Sequence, residues 1–299
     1  MRTIIFILFS VLCASSAFAD GLEKLEQKME ALQDEILSGS TDEVRKEASL
    51  EMRSLLLKAF DEEGVFEYPF EKVFRMAIST SPDGAFRLFN WSEPHLNGTH
   101  SYYAFILLPQ KGEYIELQDN DDLKVESERY ALTPDAWYGA LYYEIYPVDE
   151  KREKYYVLMG WDGNDALSNK KVLDVLLLDK KGEVSFGKPV FQTTDGMAYR
   201  RVFEYAKQAR MNLRYMEMKD AIVFDRLEPE QPGLTGQYAF YIPSTAYNGY
   251  KLNKEGTWDL IEFLDMSRPK SEESGAQFNF PDKVKFERLE NNVNPITGK

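Results

Sequence analysis

His95 and His100 are the only imidazoles in the 299-residue chain. They share one stretch, residues 92–100, that reads as a loop between two strands. Two histidines this close suit a proton shuttle or a weak metal site. Zinc would need a cysteine or a carboxylate cage beside them, and the sequence places neither there. The expectation is two exposed loop histidines, flanked by Trp91 and Tyr102. A second tip, Trp161-Asp162-Gly163-Asn164-Asp165, gathers oxygen ligands at a strand end, and so does Asp119-Asn120-Asp121-Asp122. Calcium uses such oxygens. Turns use the same residues, because Asp and Asn tolerate left-handed backbone and bond their own amides. Turn chemistry is the preferred reading, with no metal and no cofactor. Function collects on loops held by a rigid scaffold. The ligand-binding candidates are therefore Trp91, His95, His100, Trp161 and Asp162, which border one site if the two tips lie on the same rim. No catalytic residue is assigned.

Other signatures fail. The chain has no G-x-S-x-G elbow, no H-E-x-x-H, no G-x-G-x-x-G and no EF-hand loop. Gly182-Glu183-Val184-Ser185-Phe186-Gly187-Lys188 has the glycine and lysine spacing of a phosphate loop. Pro189 stands where a magnesium-binding hydroxyl belongs, and the segment reads as a hairpin turn entering a strand. Asn90-Trp91-Ser92 and Asn97-Gly98-Thr99 match the glycosylation pattern, which matters only in a cell that secretes through an endoplasmic reticulum. Tyr102-Tyr103, Tyr142-Tyr143 and Tyr155-Tyr156 are aromatic pairs within strands, where neighbours point to opposite faces. Each pair places one ring in the core. The outward rings, beside Trp91, Trp137, Trp161 or Trp258, form either a sugar-stacking platform or cross-strand packing.

Two kinds of element must position these groups. Leu22, Leu25, Met29, Leu32 and Ile36 recur at spacings of three and four, which makes one helical stripe. Gly39 supplies a stop, and Ser40 with Glu43 a capping box for a second helix. Val44, Ala48, Met52, Leu55 and Ala59 line that helix, and Gly64 ends it. The result is a helical hairpin that packs on the same chain. From residue 65 the period changes to two. Strands are predicted at 85–91, 101–108, 155–161 and 257–264, divided by turns such as Ser81-Pro82-Asp83-Gly84, Asn97-Gly98 and Asp179-Lys180-Lys181-Gly182. They fall into three groups, 72–118, 138–191 and 199–264, each an antiparallel four-stranded meander. The fold class is mainly β, propeller-like or a stack of sheets, with an N-terminal helical hairpin. The divisions are a signal peptide at 1–19, the hairpin at 20–64, a β-rich domain at 65–290 and a flexible tail at 291–299. One plausible strand lies at 283–289.

Arg2, an apolar run at 4–12 and Ala17-Phe18-Ala19 together read as a secretory signal peptide, cleaved before Asp20. Cys13 would leave with it, since Leu12 is too large to precede a lipoprotein cysteine. Removing 19 of the 299 residues leaves 280, enough to bury a core without disulfides. The charge of −14 repels phosphate backbones and anionic lipid, so nucleic acid is excluded as a partner. No second apolar run reaches a membrane span. The expected product is soluble, and secreted or periplasmic.

Several strings carry a resemblance. Tyr138-Gly139-Ala140-Leu141-Tyr142-Tyr143, Gly160-Trp161-Asp162-Gly163-Asn164, Ile222-Val223-Phe224-Asp225, Gly236-Gln237-Tyr238 and Ser81-Pro82-Asp83-Gly84 resemble a group of uncharacterised secreted bacterial proteins. The likeness covers most of 72–264 and implies export without supplying an activity. The resulting expectation is an exported, non-enzymatic binding or structural protein of the bacterial envelope, with a glycan or envelope component as partner. The alternative is a carbohydrate-active hydrolase that uses a carboxylate pair.

Overall fold

The computed structural model describes residues 3–120, 124, 126–149 and 154–267, with side chains from Gly21 onward. The side chains of the signal segment, Asp121, Asp122, the strand at 283–289 and the tail at 291–299 lie outside the described residues.

Helix α1 (Thr3–Ser38) stops where expected, and the Gly39 amide closes onto the Glu35 carbonyl at 2.9 Å. A Cβ on Gly39 would sit 2.6 Å from that carbonyl, so only glycine makes this turn. Helix α2 (Asp42–Phe60) is capped by Thr41, whose side chain accepts the Val44 amide, and not by Ser40. The cap moves by one residue because Thr41 is the residue in extended backbone at the helix start. The helix also ends at Phe60, four residues before Gly64.

The strands form three sheets. The first is a pure antiparallel meander of β1 (Ala77–Thr80), β2 (Arg87–Pro94), β3 (His100–Leu107) and β4 (Tyr114–Gln118). The second is built from β5 (Leu141–Asp149), β6 (Lys154–Asp162) and β7 (Ser168–Leu178), with β8 (Val184–Phe186) paired to β7. The third has the order β10-β9-β15-β14-β13-β12, from β9 (Phe191–Thr193), β10 (Gly196–Ala198), β12 (Leu213–Met216), β13 (Ala221–Pro229), β14 (Tyr241–Leu252) and β15 (Trp258–Ile261). Strand β11 (Arg201–Ala206) departs from the expected grouping, because it pairs with β7 and so joins the second sheet. Strand β9, at the end of the second expected group, meets β15 in the single parallel contact Phe191–Trp258 and so joins the third sheet.

The sheets stack in series. Helices α1 and α2 bury Met29, Met52, Leu56 and Phe60 against Phe89, Trp91, Phe105 and Leu107 on one face of the first sheet. The other face of that sheet presents Leu88, Tyr102, Ala104 and Ile106 to Tyr156, Leu158, Trp161 and Val172 of the second. The far face of the second sheet presents Tyr155, Val157, Leu173 and Val175 to Ile222, Phe224, Tyr250 and Trp258 of the third. Both faces of the first two sheets are therefore covered. This is the stacked-sheet form of the expected architecture. Tyr155 and Tyr156 do point to opposite faces, but each face is a core. All four tryptophans are buried, which removes them from any exposed sugar platform.

Candidate functional site

The two nominated tips meet at one end of the seam between the first and second sheets. The β2–β3 turn closes with the Gly98 amide on His95, and Gly98 has the positive φ of 89° that the reversal needs. A Cβ there would come within 2.9 Å of Ala166 in the tip after β6, so the two turns lie in contact. The β6–β7 tip is wound by its own side chains. Asp162 accepts the Asn164 amide at 2.8 Å, and Asp165 accepts the amides of Leu167 and Ser168. These are the Asx turns expected of the oxygen cluster. Lys207, just beyond β11, donates to the Gly163 carbonyl at 2.7 Å and ties the tip to its own sheet.

Strand alternation sends His100 and Tyr102 towards the second sheet. His100 stacks on Tyr102 and meets the edge of Trp161, with ring centroids 5.2 Å apart for the latter pair. Gly163 lies directly beneath, and any Cβ there would be 2.3 Å from the imidazole. Burial, then the neighbouring charges of Lys207, His95, Lys124 and Arg45, push the His100 pKa down to about 3. The ring is therefore neutral at physiological pH. Among the described residues no group bonds its Nδ1.

Asp162 is the centre of the cluster and is only 1% exposed. The Tyr102 hydroxyl donates to one carboxylate oxygen at 3.0 Å, and the Tyr138 hydroxyl to the other at 3.3 Å. The Tyr102 oxygen in turn accepts the Gly163 amide at 2.6 Å. Lys124 stands 3.7 Å from Asp162 and 3.8 Å from Asp119, over the faces of Tyr102 and Tyr138. Asp119 accepts the Tyr102 amide. Burial and the Asp162 charge hold both tyrosines well above their ordinary pKa, so they stay protonated donors. The Asp162 oxygens are already committed to two hydroxyls and an amide, with a lysine charge beside them. What this arrangement can do is lock two sheets together.

The other two candidates stand on the opposite face of the first sheet. Trp91 stacks on Tyr103 at 5.0 Å in the helix-facing core. His95 shares a hydrogen bond with the Ser101 hydroxyl at 2.8 Å and stands 3.9 Å from Asp42 at the start of α2. The structure thus brings together His100, Trp161 and Asp162, and parts them from Trp91 and His95. The parity of the strand decides this, since Trp91 pairs with Tyr103 and Ser92 with Tyr102. Sequence reasoning missed Tyr138, Lys124 and Lys207, and it singled out Asp119 only as part of an oxygen cluster. Tyr102 carried a signal as half of an aromatic pair.

The phosphate-loop near miss is the β7–β8 turn. Gly182, with φ 83°, donates to the Asp179 carbonyl, and the chain then enters β8. Asn90, in the first glycosylation match, is fully buried, whereas Asn97 is exposed. Among the described residues no three His, Cys, Asp or Glu side chains converge as a metal cage. None of the described helices is long and apolar enough to cross a membrane.

One further titratable group stands out. Glu144 lies where the β5–β6 register slips between Tyr142 and Glu144. Among the described residues its carboxylate receives only the Tyr215 amide, at 3.3 and 3.4 Å, from the edge strand β12. Burial outweighs that bond and the Arg214 charge, and lifts its pKa to about 7. Comparison with protein-family profiles, with curated proteins and with solved structures gave no match to this chain.

Proposed function

We propose that this chain is an exported, non-enzymatic binding or structural protein of the bacterial envelope. The observation that supports it most is the saturation of Asp162 by Tyr102, Tyr138 and Asn164, which turns the most reactive-looking constellation into a fastening. Arg2, the apolar run and Ala17-Phe18-Ala19 support the export half of the reading. Intact-mass analysis of protein recovered from the envelope tests it. A chain starting at Asp20 is expected, and a retained N-terminus or an acylated Cys13 refutes export by cleavage.

Glu144 favours a second reading, a carbohydrate-active hydrolase. A carboxyl that remains protonated near neutral pH is what a general acid requires. Incubation with neutral and charged polysaccharides, followed by reducing-end detection, separates the two. Release of sugar that Glu144→Gln abolishes would establish the hydrolase, and no release by the wild type supports the binding module.

A further inference from the structure

The β13–β14 hairpin reaches beyond its sheet. Strand β15 pairs with β14 only along Gly249–Ile261 to Leu252–Trp258, and β12 pairs with β13 only along residues 221–224. Beyond Asp225 and Tyr247, whose carbonyl accepts the Leu264 amide, the pair runs to Pro229 and Tyr241 as a two-stranded ribbon, and its tip turn lies beside β11 and β7. Residues 231–250 include no charged side chain, in a chain of which 29% is charged. Their surface is aromatic and neutral-polar. Tyr238 is 58% exposed, and Phe240 and Ile242 are exposed with it. Gln231, Thr235, Gln237 and Thr245 are exposed around them.

The tip is pre-shaped. Leu234, Gln237 and Phe240 donate their amides to Gln231, Leu234 and Gln237, and Glu230 closes onto Phe240. Gly236, at φ 84°, donates its amide to the Tyr241 hydroxyl at 3.1 Å, which holds that ring in place. The Tyr238 and Tyr241 rings lie 5.1 Å apart, inclined at 50°. Pro243 sits in the ribbon where a free strand edge would otherwise recruit another strand. Recognition is left to side chains.

We propose that this ribbon tip is a binding site for a neutral oligosaccharide, seated on Tyr238 and Tyr241 and bonded through the surrounding amides and hydroxyls. The charge balance selects that class. Residues 231–250 bring no charge of their own, and the carboxylates beside them, Glu228 opposite Ile242 and Glu230 closing onto Phe240, oppose an anionic ligand. Tyrosine faces cover the apolar faces of sugar rings, while amide and hydroxyl groups satisfy sugar hydroxyls. Ordered rings also lose little entropy on binding.

This inference rests on the binding-module reading and names its ligand class. The test titrates the mature protein with cellohexaose, maltohexaose, xylohexaose and chitohexaose, and with polygalacturonate as the charged control. Binding of at least one neutral hexasaccharide, weakened tenfold or more in Tyr238→Ala and unaffected by 0.5 M salt, is the expected result. Tyr238→Ala should melt with the wild type, since the ring is mostly in solvent. Neutral-sugar binding that survives Tyr238→Ala leaves the module reading intact and overturns the site. No binding by any hexasaccharide, a preference for polygalacturonate, or a dimer that Tyr238→Ala dissociates each overturns the ligand class. Release of shortened sugars overturns the non-enzymatic reading itself.

Discussion

The Asn90 side chain pairs with the backbone of Tyr142 in both directions. Its Nδ2 donates to the Tyr142 carbonyl at 3.3 Å, and its Oδ1 accepts the Tyr142 amide at 2.7 Å. The same Nδ2 also donates to the Ala77 carbonyl at 3.0 Å. One buried amide on β2 therefore links the first sheet to β5 of the second, at the residue that borders the register slip between Tyr142 and Glu144. Asn90→Ala leaves a buried amide and two buried carbonyls short of partners, each costing about 1–3 kcal/mol. The expected loss is about 3 kcal/mol in urea denaturation, and a loss below about 1 kcal/mol refutes the link.

Tyr102 and Asp162 should behave as one unit. Tyr102→Phe removes the hydroxyl that both donates to Asp162 and accepts from Gly163. Asp162→Asn removes the charge that Lys124 faces. Each single change is expected to cost about 2 kcal/mol, with a coupling energy above about 0.5 kcal/mol in the double-mutant cycle. Additive costs would mean that the bond carries no shared energy.

Two groups set opposite pH slopes. His100 titrates near 3 when folded against 6.5 in an ordinary setting, because burial and nearby cations oppose its charge. The unfolded chain takes up that proton first, so stability falls as pH drops below 6.5. Glu144 titrates near 7 against 4.5, so the folded chain holds its proton longer. Its contribution is present below 4.5 and is lost as pH rises through 7. Glu144→Gln should flatten the decline between pH 5 and 8, at most about 1.4 kcal/mol per pH unit. His100→Gln should flatten the acid limb alone. Unchanged slopes in either variant would mean that the group does not govern its limb.

The helical hairpin is a cover. Phe60 meets Phe89 and Phe105 edge-on, at centroid distances of 5.2 and 5.8 Å. Phe60→Ala should cost about 3–5 kcal/mol. Deleting residues 21–60 exposes Phe89, Trp91 and Phe105 on one sheet face and should lead to aggregation and dye binding. A deletion product that stays monomeric and melts unchanged would show the first sheet to be stable without its cover.

Much of the fold was legible in the chain itself. The spacing of Leu22, Met29, Leu32 and Ile36 gives a helix because 3.6 residues make a turn. The switch to period two after residue 65, with glycines at Gly98, Gly182 and Gly256 where φ is positive, gives hairpins because only glycine turns there without strain. These are local causes, and local sequence contains them. Stacking order is a different matter. Trp91 and Trp161 have the same residue type and the same strand setting, yet one faces the helices and the other, itself on the second sheet, faces the first. Which face of a strand meets which layer depends on surfaces brought together from distant parts of the chain. For the same reason β11 could only be assigned to the second sheet once β7 was seen beside it. The site follows this rule most clearly. Asp162 reads as a ligand or a turn former by its type. Its role is decided by Tyr102, Tyr138 and Lys124, which are far from it in sequence and reach it only across a seam that tertiary packing creates.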